Sequence, residues 1–261
     1  MRHGRVLTGL LAAALAAGLT VGSAAAYSDV DPERWGWAWQ EIDAMTERGI
    51  FRGYGDGTFL PAVGLPASQG LIVAARLRVN DPEERARIGL ARREEVSALV
   101  GGELSWMWDE AAVCLETGIV SHDELAALCV TKQLTEPLAT ENFCVYIARA
   151  MGLEPMVRQL SQWPLNYSDA GTISSACRPY VYALSVYSIV RGNEAGALNP
   201  KVTVNRAQTA VILSRALSWM EAQESAAAPG DGSGTAEAAK TAETAGAAGV
   251  EETAETAPEV R

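Results

Sequence analysis

The sequence predicts an all-α protein in which one helix-loop-helix unit occurs three times and packs against its own copies, ahead of a disordered C-terminal tail. Two observations carry that prediction. Apolar residues recur at steps of three and four, the period of an amphipathic helix, with glycine-containing loops between the periodic stretches. A twelve-residue segment from Ile50 also returns without gaps from Ile189, where Ile50, Arg52, Gly53, Gly57 and Pro61 match Ile189, Arg191, Gly192, Gly196 and Pro200. A register held over that length marks an internal repeat.

Residues 1–26 read as a secretory signal peptide. Basic residues at Arg2 and Arg5 precede an apolar run from Val6 to Val21, and Gly22 to Ala26 are small. The run is interrupted by Thr8, Gly9 and Gly18, no stop-transfer pattern follows, and cleavage is expected after Ala26. Loss of Arg2 and Arg5 leaves 19 basic against 32 acidic residues, a net charge of −13. So acidic a chain excludes nucleic acid as a partner, and no membrane span is expected after signal cleavage.

The first unit covers residues 27–79. Its first helix places Trp39, Ile42 and Met45 on one stripe, and Gly49-Ile50 leads into the glycine loop. The sequence predicts a connecting helix over 80–101 that opens with Asp81-Pro82 and stops at Gly101-Gly102. The second unit, 102–152, is eroded. Trp106, Trp108, Gly118 and Ile119 repeat the spacing of Trp37, Trp39, Gly49 and Ile50, and Arg149 follows where Arg76 stands, with four extra loop residues. Phe143, Tyr146, Ile147, Ala150 and Met151 form its second apolar stripe. A linker over 153–165 includes a short helix from Met156 to Trp163.

The third unit, 166–222, opens with Tyr167-Ser168-Asp169 as the first opens with Tyr27-Ser28-Asp29. Its helices carry Tyr180, Ala183, Leu184 and Tyr187, then Ala207, Ala210, Val211, Leu213 and Leu217, with Asn205 and Gln208 as a reciprocal N-cap pair. Residues 223–261 are almost wholly Ala, Glu, Thr and Gly; they lack bulky apolar groups to offset ordering entropy and are expected to be disordered. No helix-loop-helix of this size buries its own stripe, so the three units must cover one another.

Four cysteines, Cys114, Cys129, Cys144 and Cys177, permit two disulfides in any of three pairings, or stay as free buried thiols. No Cys-x-x-Cys pair exists and His122 alone survives leader removal, so no metal site or cofactor is expected. A Gly-x-Ser-x-Gly elbow and a phosphate loop are both missing from the sequence, and three small units use the whole folded length, which argues against an enzyme. Asp56 in Gly-Asp-Gly lacks the further oxygen ligands of a calcium loop.

The Tyr27–Val30 opening, the Trp-bearing helix, the run Gly53-Tyr54-Gly55-Asp56-Gly57-Thr58-Phe59-Leu60-Pro61 and a second helix ending near an arginine together resemble the S-layer homology repeat. The resemblance spans Tyr27 to Leu217. It implies a pseudo-threefold helical module that binds secondary cell-wall polysaccharide, often pyruvylated, in grooves between its prongs and anchors a secreted protein to the wall or surface layer. The family's second helix opens with an Ile-Thr-Arg-Ala-Glu-like motif whose arginine meets the glycan. Val204-Asn205-Arg206-Ala207-Gln208 keeps that arginine, whereas Ala67 and Thr140 replace it in the other copies. Arg206 is therefore the leading ligand contact, with Arg191, Arg52, Trp37, Tyr54, Asp56 and Asn205 completing the candidate set. Loss of two arginines leaves a second reading open, a scaffold that binds another surface-layer protein instead of glycan.

Overall fold

A computed structural model describes residues 27–227; the expected signal peptide and all but the first residues of the expected tail lie outside the described residues. In chain order the helices are α1 (Pro32–Trp35), α2 (Trp39–Glu47), α3 (Ala67–Arg78), α4 (Pro82–Ala91), α5 (Arg93–Val100), α6 (Trp108–Glu116), α7 (His122–Val130), α8 (Thr140–Ala150), α9 (Glu154–Gln159), α10 (Arg178–Val186) and α11 (Arg206–Ala227), with short 3-10 turns between them. Among the described residues no strand forms, and the fold is all-α as the periodicity predicts. The chain divides into two units after Met220. The described part of the second is helical, Ser225 Oγ donating to the Glu221 carbonyl at 2.9 Å.

In the first unit the hairpins α2/α3, α6/α8 and α10/α11 meet at the segments that lead into α3, α8 and α11. Leu65 N–H donates to Val204 O (2.9 Å), Val204 N–H to Leu138 O (3.1 Å), and Leu138 N–H to Leu65 O (2.8 Å), closing a ring of three bonds. A second cycle lies beside it, with Ala67 N–H on Glu136 O, Thr140 N–H on Val202 O and Arg206 N–H on Val63 O, each at 2.9–3.0 Å. Three isolated antiparallel bridges, Gly64 with Asn205, Pro66 with Pro137 and Ala139 with Thr203, follow the same rotation. The first-turn N–H groups of a helix lack partners inside it. Here each hairpin caps the next one's second helix, so no hairpin is satisfied alone.

The second helices supply the centre. Leu71, Ala74, Ala75, Phe143, Ile147, Ala207, Ala210 and Leu213 are fully buried, as are Ala38, Ile42, Ala111, Ala112, Ala183 and Leu184 from the first helices. On α2 the stripe is one residue earlier than the sequence suggests: Ala38 is buried and Trp39 half-buried.

The outer hairpins share their loop chemistry. Asp29 accepts from Phe59 N–H and Leu60 N–H at 2.8 and 2.7 Å, and Asp169 accepts from Leu198 N–H and Asn199 N–H at 2.9 and 2.8 Å. Ser28 N–H and Ser168 N–H reach the carbonyls of Gly57 and Gly196. Those glycines have φ of 82° and 70°, which side-chain-bearing residues adopt at a cost. Leu60 and Asn199 also share a left-handed φ of 57°, a cost that the paired Asp bonds help hold in place.

Four sequence expectations need correction. The connecting segment is two helices, α4 and α5, because the chain leaves helical geometry at Arg92 (φ −109°, ψ 15°). The short linker helix is α9, ending at Gln159 and not at Trp163. The extra loop residues of the middle hairpin lie in a loop that carries α7, whose N-terminus is a reciprocal cap between Ser121 and Glu124. The last helix also runs to Ala227, past the expected start of the tail at 223.

Candidate ligand cleft

Rotation about the hydrogen-bonded ring produces three seams, each where a second helix begins against the loop of the next hairpin. Ala67, Thr140 and Arg206 are the equivalent residues, and the seams differ through them.

At the first seam Arg206 faces the loop Phe51–Phe59. It is 2% exposed. Its Nε donates to Phe59 O at 2.6 Å, Nη1 to Gln69 Oε1 at 2.9 Å and Nη2 to Arg52 O at 2.8 Å. The guanidinium carbon stands 4.3, 4.8 and 4.6 Å from the ring centroids of Phe51, Tyr54 and Phe59. Burial pushes its pKa down, opposed by Tyr54, Tyr27 and Asp29. A cation so enclosed is a clamp between α11 and the first loop, stabilised by charge-assisted bonds and ring faces. Arg206, the leading ligand contact expected from the sequence, is thus enclosed, with three of its donor groups engaged within the chain.

Four other candidates lie at or beside this seam. Tyr54, 41% exposed, lends its ring to Arg206. Asp56 Oδ1 accepts from Thr58 N–H at 3.0 Å and Thr58 O–H at 2.7 Å, which hold its carboxyl below the usual range. Asn205 Oδ1 accepts from Gln208 N–H at 2.8 Å while Gln208 Oε1 accepts from Asn205 N–H at 3.1 Å, the cap the sequence predicts. The Arg52 carbonyl accepts from Arg206 while its own side chain is exposed.

At the Thr140 seam the structure opens. A cleft of about 820 Å³ lies between the loop 190–199, the start of α8, the first turns of α11 and Trp37. Drug-sized and sugar-sized ligands occupy cavities on this scale. Arg191 and Arg215 both line it, with Glu194, Asn193 and Gln208 as further polar groups. Trp37 is 53% exposed, its ring 6.1 Å from that of Trp35. The loop is braced from within, since Asn193 Oδ1 accepts from Ala195 N–H and Ala197 N–H at 3.0 Å each. Arg191 Nε donates to Ser188 O at 3.3 Å and Arg215 Nη1 to Ile189 O at 3.5 Å. Burial, then the neighbouring Arg191, lowers the Arg215 pKa. Two guanidinium groups thus line one cleft with Glu194, and Glu41 opposes the lowering of the Arg215 pKa.

Of the predicted ligand residues, the cleft collects Trp37 and Arg191, which lie 154 positions apart in the sequence. It adds Arg215, Gln208 and Thr140, none of which the sequence singled out as ligand contacts. Arg215 recurs with Arg76 and Arg149, and helix-end arginines read as structural. Arg76 does pair with Glu110 (2.8 Å), and Arg149 with Glu124 (2.9 Å).

All four cysteines are free, Cys114, Cys144 and Cys177 buried and Cys129 half-buried, so none of the three disulfide pairings is formed. Among the described residues no cluster of three or more His, Cys, Asp or Glu could hold a metal, and no helix is long and apolar enough to cross a membrane.

Residues 26–63 and 166–210 match the S-layer homology domain; the first match stops just before α3, and the second runs into the first turns of α11. The chain is also 25% identical over 190 residues to the surface-layer 125 kDa protein of Lysinibacillus sphaericus. That alignment covers 72% of this chain and 14% of the relative, so the chain spans a small part of the relative's length.

Proposed function

We propose that the chain is a non-catalytic cell-surface module that holds a secreted protein to the bacterial wall by binding wall polysaccharide in the Thr140 cleft. The match of two hairpins to the S-layer homology domain and the likeness to a surface-layer protein support a role at the cell surface. The observation that carries the glycan reading is the cleft itself, where an exposed indole stands beside two arginines. A sugar ring stacks on the apolar face of Trp37, and a carboxylate, such as a pyruvyl ketal presents, pairs with Arg191 or Arg215. In this reading the middle hairpin is a third, degenerate repeat that keeps the ring of main-chain bonds and has given up the motif arginine. Removal of the leader at Ala26 delivers the module outside the cell, and the units fall at 27–79, 102–152 and 166–222.

The test is sedimentation of residues 27–261 with isolated walls. The mature protein is expected to pellet with native walls and stay in solution with walls stripped of polysaccharide by hydrofluoric acid. Trp37→Ala and Arg191→Ala should each weaken pelleting about tenfold, near 1.4 kcal/mol. Equal pelleting with stripped walls overturns the glycan reading.

A further inference from the structure

Thr140 stands where Arg206 stands at the neighbouring seam, and the cleft beside Thr140 is lined by the counterpart of each group that Arg206 touches. Arg206 lies over Phe51, Tyr54 and Phe59 and donates to Arg52 O, Phe59 O and Gln69 Oε1. In the repeat register those residues correspond to Val190, Asn193, Leu198, Arg191 and Gln208, and all five line the cleft together with Thr140. The cavity is the space that a guanidinium fills one seam away.

The counterparts keep their chemistry as acceptors. Among the described residues the carbonyl oxygens of Arg191 and Leu198 accept no hydrogen bond, whereas those of Arg52 and Phe59 accept from Arg206 at 2.8 and 2.6 Å. Gln208 Oε1 adds a third acceptor, partly engaged by Asn205 N–H. Thr140 does not reach them, because its Oγ1 donates to Val202 O at 2.9 Å. The floor therefore presents three acceptors, and Arg191, Arg215 and Glu194 line the same cleft. A guanidinium carried on the chain satisfies such acceptors at the Arg206 seam, and the hydroxyl groups of a bound ring can satisfy them here.

We propose that Thr140 is the residue that keeps this cleft open, and that hydroxyls of a bound sugar ring take the acceptor positions a guanidinium occupies at the Arg206 seam. The inference rests on the glycan reading above and adds which residue sets occupancy and which atoms the ring engages. It also makes the Arg206 seam self-occupied, so that arginine at this position closes a seam and threonine opens it.

The test is Thr140→Arg, with Thr140→Val as control, in the mature chain titrated with isolated wall polysaccharide and followed by thermal melting. Thr140→Arg should bind at least tenfold more weakly and melt no lower than wild type, its guanidinium filling the cleft. Thr140→Val should bind within twofold of wild type. Wild-type binding that survives Thr140→Arg within twofold overturns the inference and leaves the glycan reading intact. A Thr140→Arg chain that melts well below wild type also overturns it, since the site then does not accept a guanidinium. Wild type that fails to bind at all removes the glycan reading, and this inference with it.

Discussion

The Arg206 and Thr140 seams share a backbone and differ in what fills them. At one, a buried cation binds three acceptors and three ring faces. At the other, its place is empty and the neighbouring position does the joining: Glu141 accepts from Ser174 N–H at 3.0 Å and Ser174 O–H at 2.7 Å and pairs with Lys201. Its counterparts Ser68 and Ala207 carry no such pair. A module with an arginine at every such position would be held the same way three times over; here one seam is closed by its own side chain and another by a lateral ion pair that leaves the cleft free. The difference teaches that a motif residue can be read as a ligand contact when its energy is spent on the fold.

That contrast breaks most directly at Arg206. Arg206→Ala leaves three acceptors and an aromatic pocket without their partner, and is expected to cost about 3–5 kcal/mol of stability, measured by urea unfolding. A loss below 1 kcal/mol would return Arg206 to the surface and to the list of ligand contacts.

Glu141 sharpens the other side. Glu141→Gln should cost about 1–3 kcal/mol at neutral pH, less than Arg206→Ala, because Lys201 is half exposed and partly screened. Burial raises the Glu141 pKa, but the bonds from Lys201 and Ser174 outweigh it and hold it below the ordinary carboxylate range. A depressed folded-state pKa stabilises fully above the unfolded value near 4.5 and loses that contribution as the pH falls through the folded one. Glu124, also depressed, with burial opposed by Arg149 and Ser121, follows the same sign. Urea midpoints should thus hold from pH 7 to about 5 and fall from there toward pH 3, with a shallower fall in Glu141→Gln. A midpoint that rises on acidification would contradict the ion-pair clamp.

The Thr140 seam also encloses sulfur. Burial pushes the Cys144 thiol up to about 12 and the Cys177 thiol to about 11, and Cys177 Sγ contacts Asn142 Oδ1 at 3.6 Å. Thiolates are the reactive form, so at pH 8 iodoacetamide should modify Cys129 first and leave Cys114, Cys144 and Cys177 until the chain unfolds, as mass spectrometry of native and denatured samples would record. Rapid labelling of Cys177 in the folded protein would show that this seam opens.

The smallest effect on stability belongs to Trp37. Its side chain is half in water and clear of the ring of main-chain bonds, so Trp37→Ala should change unfolding by no more than about 0.5 kcal/mol while weakening wall binding about tenfold. A large stability loss would make the indole part of the core and remove it from the cleft.

Much of this molecule was legible in the residues. The three-four spacing of Phe143, Tyr146, Ile147, Ala150 and Met151 marked a buried face because every such step returns a side chain to the same side of a helix. Asn205 and Gln208 announced a cap, and Ser121 with Glu124 carries the same signal for α7 inside the stretch that repeat spacing marks only as a loop with four extra residues. Cleft residues were harder to see. Trp37, Thr140, Arg191 and Arg215 belong to three hairpins, and nothing local in the sequence relates them.

By itself the sequence determined the all-α class, the recurrence of one hairpin and its glycine-containing loops, because each depends on residues close along the chain or on comparing the chain with itself. Tertiary structure alone decided which copy's arginine is spent as a clamp and which seam stays open. The physical reason is that a guanidinium is satisfied by whatever lies across the seam: Arg206 meets the carbonyls and rings of a loop some 150 residues away, and only the closed ring of three hairpins brings that loop to it.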